Sequence, residues 1–449
     1  MSFRASAALA ASSPRSRAVA NGPLPPGEAG LASPDYNGVS YLFPFKAACL
    51  RGSSSGTLRL HGPVDFFLGG FVLPRLTALV AVLALPGCAL AGRGARSGAL
   101  PLPAGYADSL RTERIAEGAF LHTLVNLSAP WRAYVLDVDT RCATAHALKG
   151  SARAVGRRTT SALLAGMPAD SRAIAAINAD FFLFAPPGVP TNLHLEHGRV
   201  VAGPGGRPVF ATDGAGRYVL DTIRAEGTIT GRERALQLRA WNRPDSGRSG
   251  IVDGNWGVPL DSAIRRGVQR LDPSAVTGRG TEIAGRYVVR ASTPADTLVH
   301  GDTLLLHLAD GVPPLPPGDT VLLSLRLAGA AGIALREAVG GRPLLVADSA
   351  VTGDVDTEGN AGFRGLNPRS AVGMNRQGTR IWFAVIDGRR PGYSMGMTLR
   401  QTAELMRALG ATRALNLDGG GSSALALRDP VAGRVNVVNR PSDATERPV

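Results

Sequence analysis

Apolar and polar positions divide the chain into segments of different texture. Residues 1–65 show no periodic apolar face; Ala, Ser, Pro and Gly dominate, with isolated arginines. At 76–85 ten uncharged residues, LTALVAVLAL, follow Arg75 and precede Pro86, Gly87, Cys88 and an Ala89-Leu90-Ala91 end. One basic residue, a short apolar run and small residues at its end predict a signal peptide or lipoprotein signal over 66–91. The run is too short for a comfortable membrane span. Leu85-Pro86-Gly87-Cys88 also has the form of a weak lipobox, so two outcomes stay open: cleavage after Ala91, or a membrane tether through a signal anchor or a lipidated Cys88. A signal peptide belongs at the start of a chain, so 1–65 reads as an unstructured or misassigned extension. A Gly/Ala/Pro-rich linker spans 92–117.

From Gly118 the pattern becomes structural. Alternation over 131–139 predicts a strand, 161–167 a short helix, and 173–177 a buried strand that ends at Asn178-Ala179-Asp180-Phe181-Phe182. Residues 193–201 and 208–220 read as strands joined by glycine turns. Across 222–335 short apolar runs alternate with Gly, Pro and Asp turns, which predicts an antiparallel β-rich insertion. Its most distinctive clusters are Trp241-Asn242-Arg243-Pro244 and Asn255-Trp256-Gly257. The last stretch predicts a strand at 380–386, a helix at 398–409 capped by Thr398 and stopped by Gly410, and a buried strand at 414–417. The expected fold class is therefore mixed α/β (α+β). Its central sheet is drawn from the first and last thirds of a domain at 118–449, interrupted by the insertion.

Composition changes this picture little. The formal charge of +14 comes from 49 Lys+Arg against 35 Asp+Glu, yet lysine occurs only at Lys46 and Lys149. The arginines are scattered as singles and pairs, with no stripe that could track phosphates, so no nucleic-acid partner is expected. The three cysteines, Cys49, Cys88 and Cys142, include no CxxC pair. That spacing disfavours a zinc site, and with two of them in or before the targeting segment a structural disulfide is not expected. Oligomeric state is not legible.

Candidate chemistry gathers at strand ends. Asn416-Leu417-Asp418-Gly419-Gly420-Gly421-Ser422-Ser423 places a carboxylate before three glycines. A tight turn needs one or two, whereas three suit backbone amides that approach a ligand and form a concave anion site. Asp387-Gly388-Arg389 repeats the layout, although Asp-Gly is also a common turn. Asn367-Pro368-Arg369-Ser370 offers a guanidinium fork that matches two phosphate oxygens, or else a surface arginine. Asn178 and Asp180 stand beside Phe181 and Phe182, as a polar pair at a site or as an Asx turn. His194 and His197 would face opposite sides of a strand and read as surface or supporting residues. No Gly-x-Ser-x-Gly elbow, Walker loop or His-Glu-x-x-His motif occurs. The remaining set suits cleavage beside a phosphate, with an anion clamp and acid/base carboxylates.

These motifs, at 176–182, 337–341, 367–373, 384–389 and 411–425, resemble those of the phosphodiester glycosidase domain family, most specifically in the NLDGGGSS run. The resemblance runs from about Gly118 to Val449 and is loose over 222–335. It implies an exported hydrolase that cleaves the anomeric C–O bond of a sugar-1-phosphodiester in a glycan or cell-envelope polymer, releasing free sugar and a phosphomonoester. Carried over residue by residue, it implies catalytic roles for Asn178, Asp180, Asp387, Asn416 and Asp418. Substrate and phosphate binding would fall to Arg369, Gly419, Gly420, Gly421, Ser422 and Ser423. The expected partner is a carbohydrate or sugar-phosphate substrate. Two other readings remain open: a non-catalytic polysaccharide-binding or export accessory protein, and a metal-dependent phosphodiesterase with Ca²⁺ or Mg²⁺ held by Asp180, Asp387 and Asp418. The chain departs from the family pattern at Asn192, at Asp348-Ser349 and in its closing segment, Asn439 to Val449, which stops early.

Overall fold

The computed structural model describes 98–449 apart from 151–152, 246, 258–259, 261–267, 292–299, 330–332 and 444, together with the backbone of 39–44. All of these residues fall in the unit Tyr36–Val449. The expected signal peptide and Cys88 lie outside the described residues, as does most of the 1–65 extension. Among the described residues, no helix is long and apolar enough to cross a membrane.

The expected mixed α/β class is corrected by the structure, which is mostly β, built from several antiparallel sheets. The sheet that carries most of the candidate residues has eight strands. Their order is Ser109–Ala116, Ala119–Asn126, Trp131–Asp139, Arg380–Asp387, Arg369–Met374, Arg413–Asn416, Leu344–Ala347 and Ala350–Val351. Every neighbouring pair in it is antiparallel. The misreading has a physical origin in Arg380–Asp387. Ile381, Phe383 and Val385 enter one core, while Trp382, Ala384 and Ile386 enter another. Burial on both faces removes the alternation that marks an antiparallel strand and mimics a parallel one.

The second face of that sheet is covered by the helix Leu399–Ala408. Thr398 caps it in a full capping box with Gln401, and Gly410, at φ +96°, follows its end. Leu399, Ala403, Leu405 and Met406 are buried against Trp382 and Ala384. A five-stranded sheet orders Val435–Val437, Leu425–Arg428, Ala173–Asn178, Val39–Pro44 and His146–Lys149. Another orders Tyr218–Thr222, Pro208–Thr212, Glu337–Gly340, His194–Glu196 and Arg199–Ala202. The region expected to be a β-rich insertion forms an eight-stranded sheet from Arg224–Thr230, Thr320–Ala328 and their neighbours around Trp241 and Tyr287. In Thr320–Ala328, Val321, Leu323 and Leu325 are buried while Leu322 is exposed, the period-two pattern of a one-sided strand.

Two further expectations meet the structure here. Asp348 and Ser349 turn with φ of +47° and +67°, so this turn takes the left-handed geometry without the glycine that would adopt it freely. Cys142 is disulfide-bonded, which corrects the expectation of no structural disulfide.

Candidate active site

Antiparallel register explains why distant motifs meet. Arg369 begins its strand opposite Ile386, one residue before Asp387 ends the neighbouring strand, and Ala371 pairs with Asn416 at the end of the other neighbour. One sheet edge thus carries the start of one strand and the ends of two.

Beneath that edge Asn178 is a fastener. It is fully buried; its Nδ2 donates to the Asp418 carbonyl at 2.7 Å, and its Oδ1 accepts from Ser370 Oγ at 2.7 Å and Ala424 N at 3.1 Å. Asp418 N donates to the Ala179 carbonyl at 2.8 Å, so the strand ends at 178 and 416 are locked together. Asn416 Nδ2 donates to the carbonyls of Arg342 and Leu417 at 2.6 and 2.9 Å. A β-carbon on Gly341 would stand 2.4 Å from the Asn416 carbonyl, so a bare backbone is required there.

Above them opens a cavity of about 240 Å³, lined by Phe181, Phe363, Asn367, Arg369, Arg389, Arg447, Asp418 and the glycines 419–421. Asp418 is the one carboxylate in that lining. Burial pushes its pKa up to about 6, against the opposing pull of Ser422, Arg447, the Gly419 amide and Arg342. Asp180 lies behind it, 2% exposed, with Oδ2 accepting from Asn192 N at 2.9 Å. Burial, and then the charge of Asp418, carry Asp180 up to about 7, although amide bonds from Asn192 and Phe181 oppose the shift. Asn192 also fixes its surroundings, donating from Nδ2 to the carbonyls of Arg207 and Pro208 and accepting from Gly205 N. Its Cβ would be 2.3 Å from a β-carbon at Gly340, so these two positions are sterically linked.

Arg369 is buried. Its Nε donates to the Met397 carbonyl at 3.0 Å, and Nη2 donates to the carbonyls of Phe363 and Gly365 at 2.7 and 2.6 Å. Two nitrogens of the fork that was expected to grip phosphate are therefore used on the backbone, Nη2 on the 363–365 loop and Nε on Met397. Burial lowers its pKa to about 10, with Arg389 contributing, so it stays cationic at neutral pH. Arg389, exposed and at φ +57°, donates from Nε and Nη2 to Asn367 Oδ1 at 3.2 and 2.9 Å. Arg447 is paired with Asp443 at 2.8 Å. Phe181 and Phe363 meet with centroids 6.0 Å apart, and the Arg342 guanidinium lies 5.1 and 5.3 Å from their ring centres.

Two motifs do different work from that expected. Asp387 does not line the cavity. Its oxygens accept from Asn439 Nδ2 at 3.1 Å, from Arg440 N at 2.9 and 3.1 Å, and from the Tyr393 hydroxyl at 3.0 Å. It anchors the closing segment, and the Asp-Gly-Arg turn presents Arg389 to the cavity instead. Gly388 allows this because a β-carbon there would lie 2.6 Å from Pro368 N. The glycine loop is not an open row of amides either. Gly420 N donates to the Pro368 carbonyl, and Ser422 N and Ser423 N donate to the carbonyls of Gly419 and Gly420, closing a 3₁₀ turn. Its glycines serve close packing: a β-carbon on Gly419 would meet the Pro368 carbonyl at 2.7 Å, and one on Gly421 the Arg447–Asp443 pair at 2.3 Å. Asp180, Asp387 and Asp418 do not bring ligand atoms to a common point among the described residues; the one such His/Cys/Asp/Glu group is elsewhere, at His146, His197 and Glu337.

The cationic lining was only partly visible in the sequence. Arg389 and Asn367 stood inside recognised motifs without being singled out. Arg447 and Phe363 gave no signal of their own: Phe363 lies just before the Asn367-Pro368-Arg369 motif, and Arg447 lies in the closing segment.

Residues 279–449 match the family model described as NAGPA, phosphodiester glycosidase. That segment includes Arg369, Asp387, Asn416, Asp418 and the loop 419–423, while Asn178 and Asp180 precede it. No curated protein matches the chain. Among solved structures, a hypothetical protein from Synechocystis is similar at TM-score 0.57 and 21% identity over 75% of this chain. This chain spans 62% of that protein's length. A protein from Burkholderia pseudomallei K96243 described as exported is similar at TM-score 0.51 and 24% identity, over 71% of this chain and 73% of that one. The catalytic domain of zebrafish N-acetylglucosamine-1-phosphodiester alpha-N-acetylglucosaminidase aligns at TM-score 0.20 and 14% identity, over 65% of this chain and 91% of that one.

Proposed function

We propose that this chain is a phosphodiester glycosidase that hydrolyses a sugar-1-phosphodiester at the anomeric C–O bond. The observation that carries the reading is a cavity with a single carboxylate, Asp418, among the guanidinium groups of Arg369, Arg389 and Arg447 and the rings of Phe181 and Phe363. The sugar C–O bond breaks, the electron pair leaves on the phosphate oxygen, and a water oxygen adds to the anomeric carbon, its surplus proton passing to the released phosphomonoester or to solvent. A phosphomonoester is a good leaving group, so stabilising charge matters more than protonating the departing oxygen. Ionised Asp418 stabilises the oxocarbenium-like carbon, while the arginines hold the phosphate. Asn178 and Asn416 position the Asp418 loop, and Asp180 adjusts the charge of Asp418. The apolar run after Arg75 supports action outside the cytoplasm.

The test is hydrolysis of a panel of sugar-1-phosphodiesters in ¹⁸O-water, with and without chelator. Label in the free sugar is expected. Label in the phosphate would show P–O cleavage and overturn the assignment in favour of a phosphodiesterase. The rate should also carry an acidic limb. With Asp418 raised to about 6, kcat/KM should fall as pH drops through about 6 and the carboxylate takes up a proton. A flat profile from pH 5 to 8 would remove Asp418 from the chemistry.

A further inference from the structure

Away from the cavity, two imidazoles from separate elements converge on one carboxylate oxygen of a third. His146 opens the strand His146–Lys149, His197 sits in the turn between His194–Glu196 and Arg199–Ala202, and Glu337 opens the strand Glu337–Gly340. His146 Nδ1 and His197 Nδ1 lie 3.2 and 3.0 Å from Glu337 Oε1, and the three donor atoms all fall within 4.8 Å of one another. His197, read from the sequence as a surface or supporting residue, has His146 and Glu337 as its neighbours here.

We propose that His146, His197 and Glu337 form a binding site for one divalent transition-metal ion, with Zn²⁺ the best fit. The donor set is two imidazoles and one carboxylate, which suits zinc and disfavours the all-oxygen shells of Ca²⁺ and Mg²⁺. Tetrahedral bonds of roughly 2.0–2.2 Å place neighbouring donor atoms roughly 3.3–3.6 Å apart. The two imidazole-to-carboxylate distances are slightly shorter than that, and the two imidazole nitrogens lie within 4.8 Å of each other, so small side-chain movements bring all three to one ion.

Supporting contacts are already in place. His146 Nε2 lies 3.0 Å from Thr144 Oγ1, a partner that fixes the ring and leaves Nδ1 for the metal. Glu337 Oε2 accepts from His197 N at 3.3 Å, which orients the carboxylate and leaves Oε1 facing the imidazoles. The Glu337 side chain is 1% exposed, so its charge needs a lasting partner, whereas His146 and His197 are 26% and 59% exposed and admit an ion from solvent. Three protein donors leave a fourth position for water or for a ligand group. The site is distinct from the cavity, since it occupies the opposite end of the strand whose Gly340 abuts Asp180 and Asn192.

The test is calorimetric titration of the chelator-stripped full chain with ZnSO₄, paired with melting curves. One Zn²⁺ per chain and a raised melting temperature are expected, with Ca²⁺ giving neither. His197→Gly suits the left-handed turn position but gives up the imidazole contact to buried Glu337, so the metal-free variant should fold and melt somewhat below the metal-free wild type, while its zinc affinity falls at least tenfold and zinc no longer raises its melting temperature. Thr144→Val should weaken binding by about 10- to 100-fold through the lost outer contact. Absence of stoichiometric zinc binding, or equal affinity in wild type and His197→Gly, would overturn the proposal and leave a histidine pair that shares a carboxylate by hydrogen bonds alone.

Discussion

Asp418→Asn is expected to keep the fold and lower kcat by about 10²–10³-fold, the scale on which removing one preorganised charge-stabilising group acts. The substitution is close to isosteric. Ser422 and the Gly419 amide, which favour the charged carboxylate, can still approach an amide oxygen. What disappears is the negative charge beside the anomeric carbon. Stability should move in the opposite direction from activity. Folding raises the pKa of this carboxylate to about 6 from an ordinary value near 3.8, so the folded state binds the extra proton between those values. Stability from this group is therefore present at low pH and is lost as pH rises through about 6. The asparagine variant escapes that loss and should melt no lower than the wild type at pH 7.5. Asp418→Ala, which gives up the polar contacts as well, should melt lower. Measuring kcat and melting temperature for both variants decides the matter: an Asn variant with near-normal turnover would mean that Asp418 only accepts loop hydrogen bonds.

Much of the architecture was legible because local patterns and tertiary burial agreed. The strand at Trp131–Asp139, the capped helix at Leu399–Ala408 and the antiparallel texture of 222–335 follow from periodicity and cap chemistry. Where both faces of a strand are buried, periodicity carries no direction, and Arg380–Asp387 could not show whether its neighbours run parallel or antiparallel. The same limit applies to the site. Sequence spacing located the loops but not the direction of each polar atom. Asp387 and Asp418 occupy similar positions in their motifs, yet one faces Asn439, Arg440 and Tyr393 while the other lines the cavity. Three consecutive glycines suggested exposed amides, whereas the turn they form consumes the Gly420, Ser422 and Ser423 amides and uses missing β-carbons for packing. The His146–His197–Glu337 group was invisible because its members are separated by 51 and 140 positions (197 − 146 and 337 − 197); strand pairing joins the Glu337 and His197 segments, while His146 comes from a different sheet.

Arg369→Ala is expected to lower stability and kcat/KM together, and Arg369→Lys should recover little of either. The guanidinium reaches three carbonyls, those of Phe363, Gly365 and Met397, with two nitrogens held in one plane. A lysine ammonium presents its donors from a single atom and cannot span the same set. Each buried carbonyl left without a donor costs about 1–3 kcal/mol, so the loss should be at least about 2 kcal/mol and several degrees in melting temperature. Activity should fall for a second reason. The 363–365 loop carries Phe363, whose ring packs on Phe181 across the cavity wall, and the cavity loses one of its cations. Loss of a charged hydrogen bond to the phosphate corresponds to about 1.5–3 kcal/mol, roughly ten- to a hundredfold in kcat/KM. Arg389→Ala separates the two contributions, because Arg389 is exposed and, among the described residues, its side chain bonds only that of Asn367, so its loss should weaken phosphate binding without lowering the melting temperature. If Arg369→Lys melts like the wild type and turns over normally, neither the strut nor the clamp survives. If it melts low but keeps kcat/KM when assayed well below its melting temperature, Arg369 is a strut alone, and phosphate recognition passes to Arg389 and Arg447.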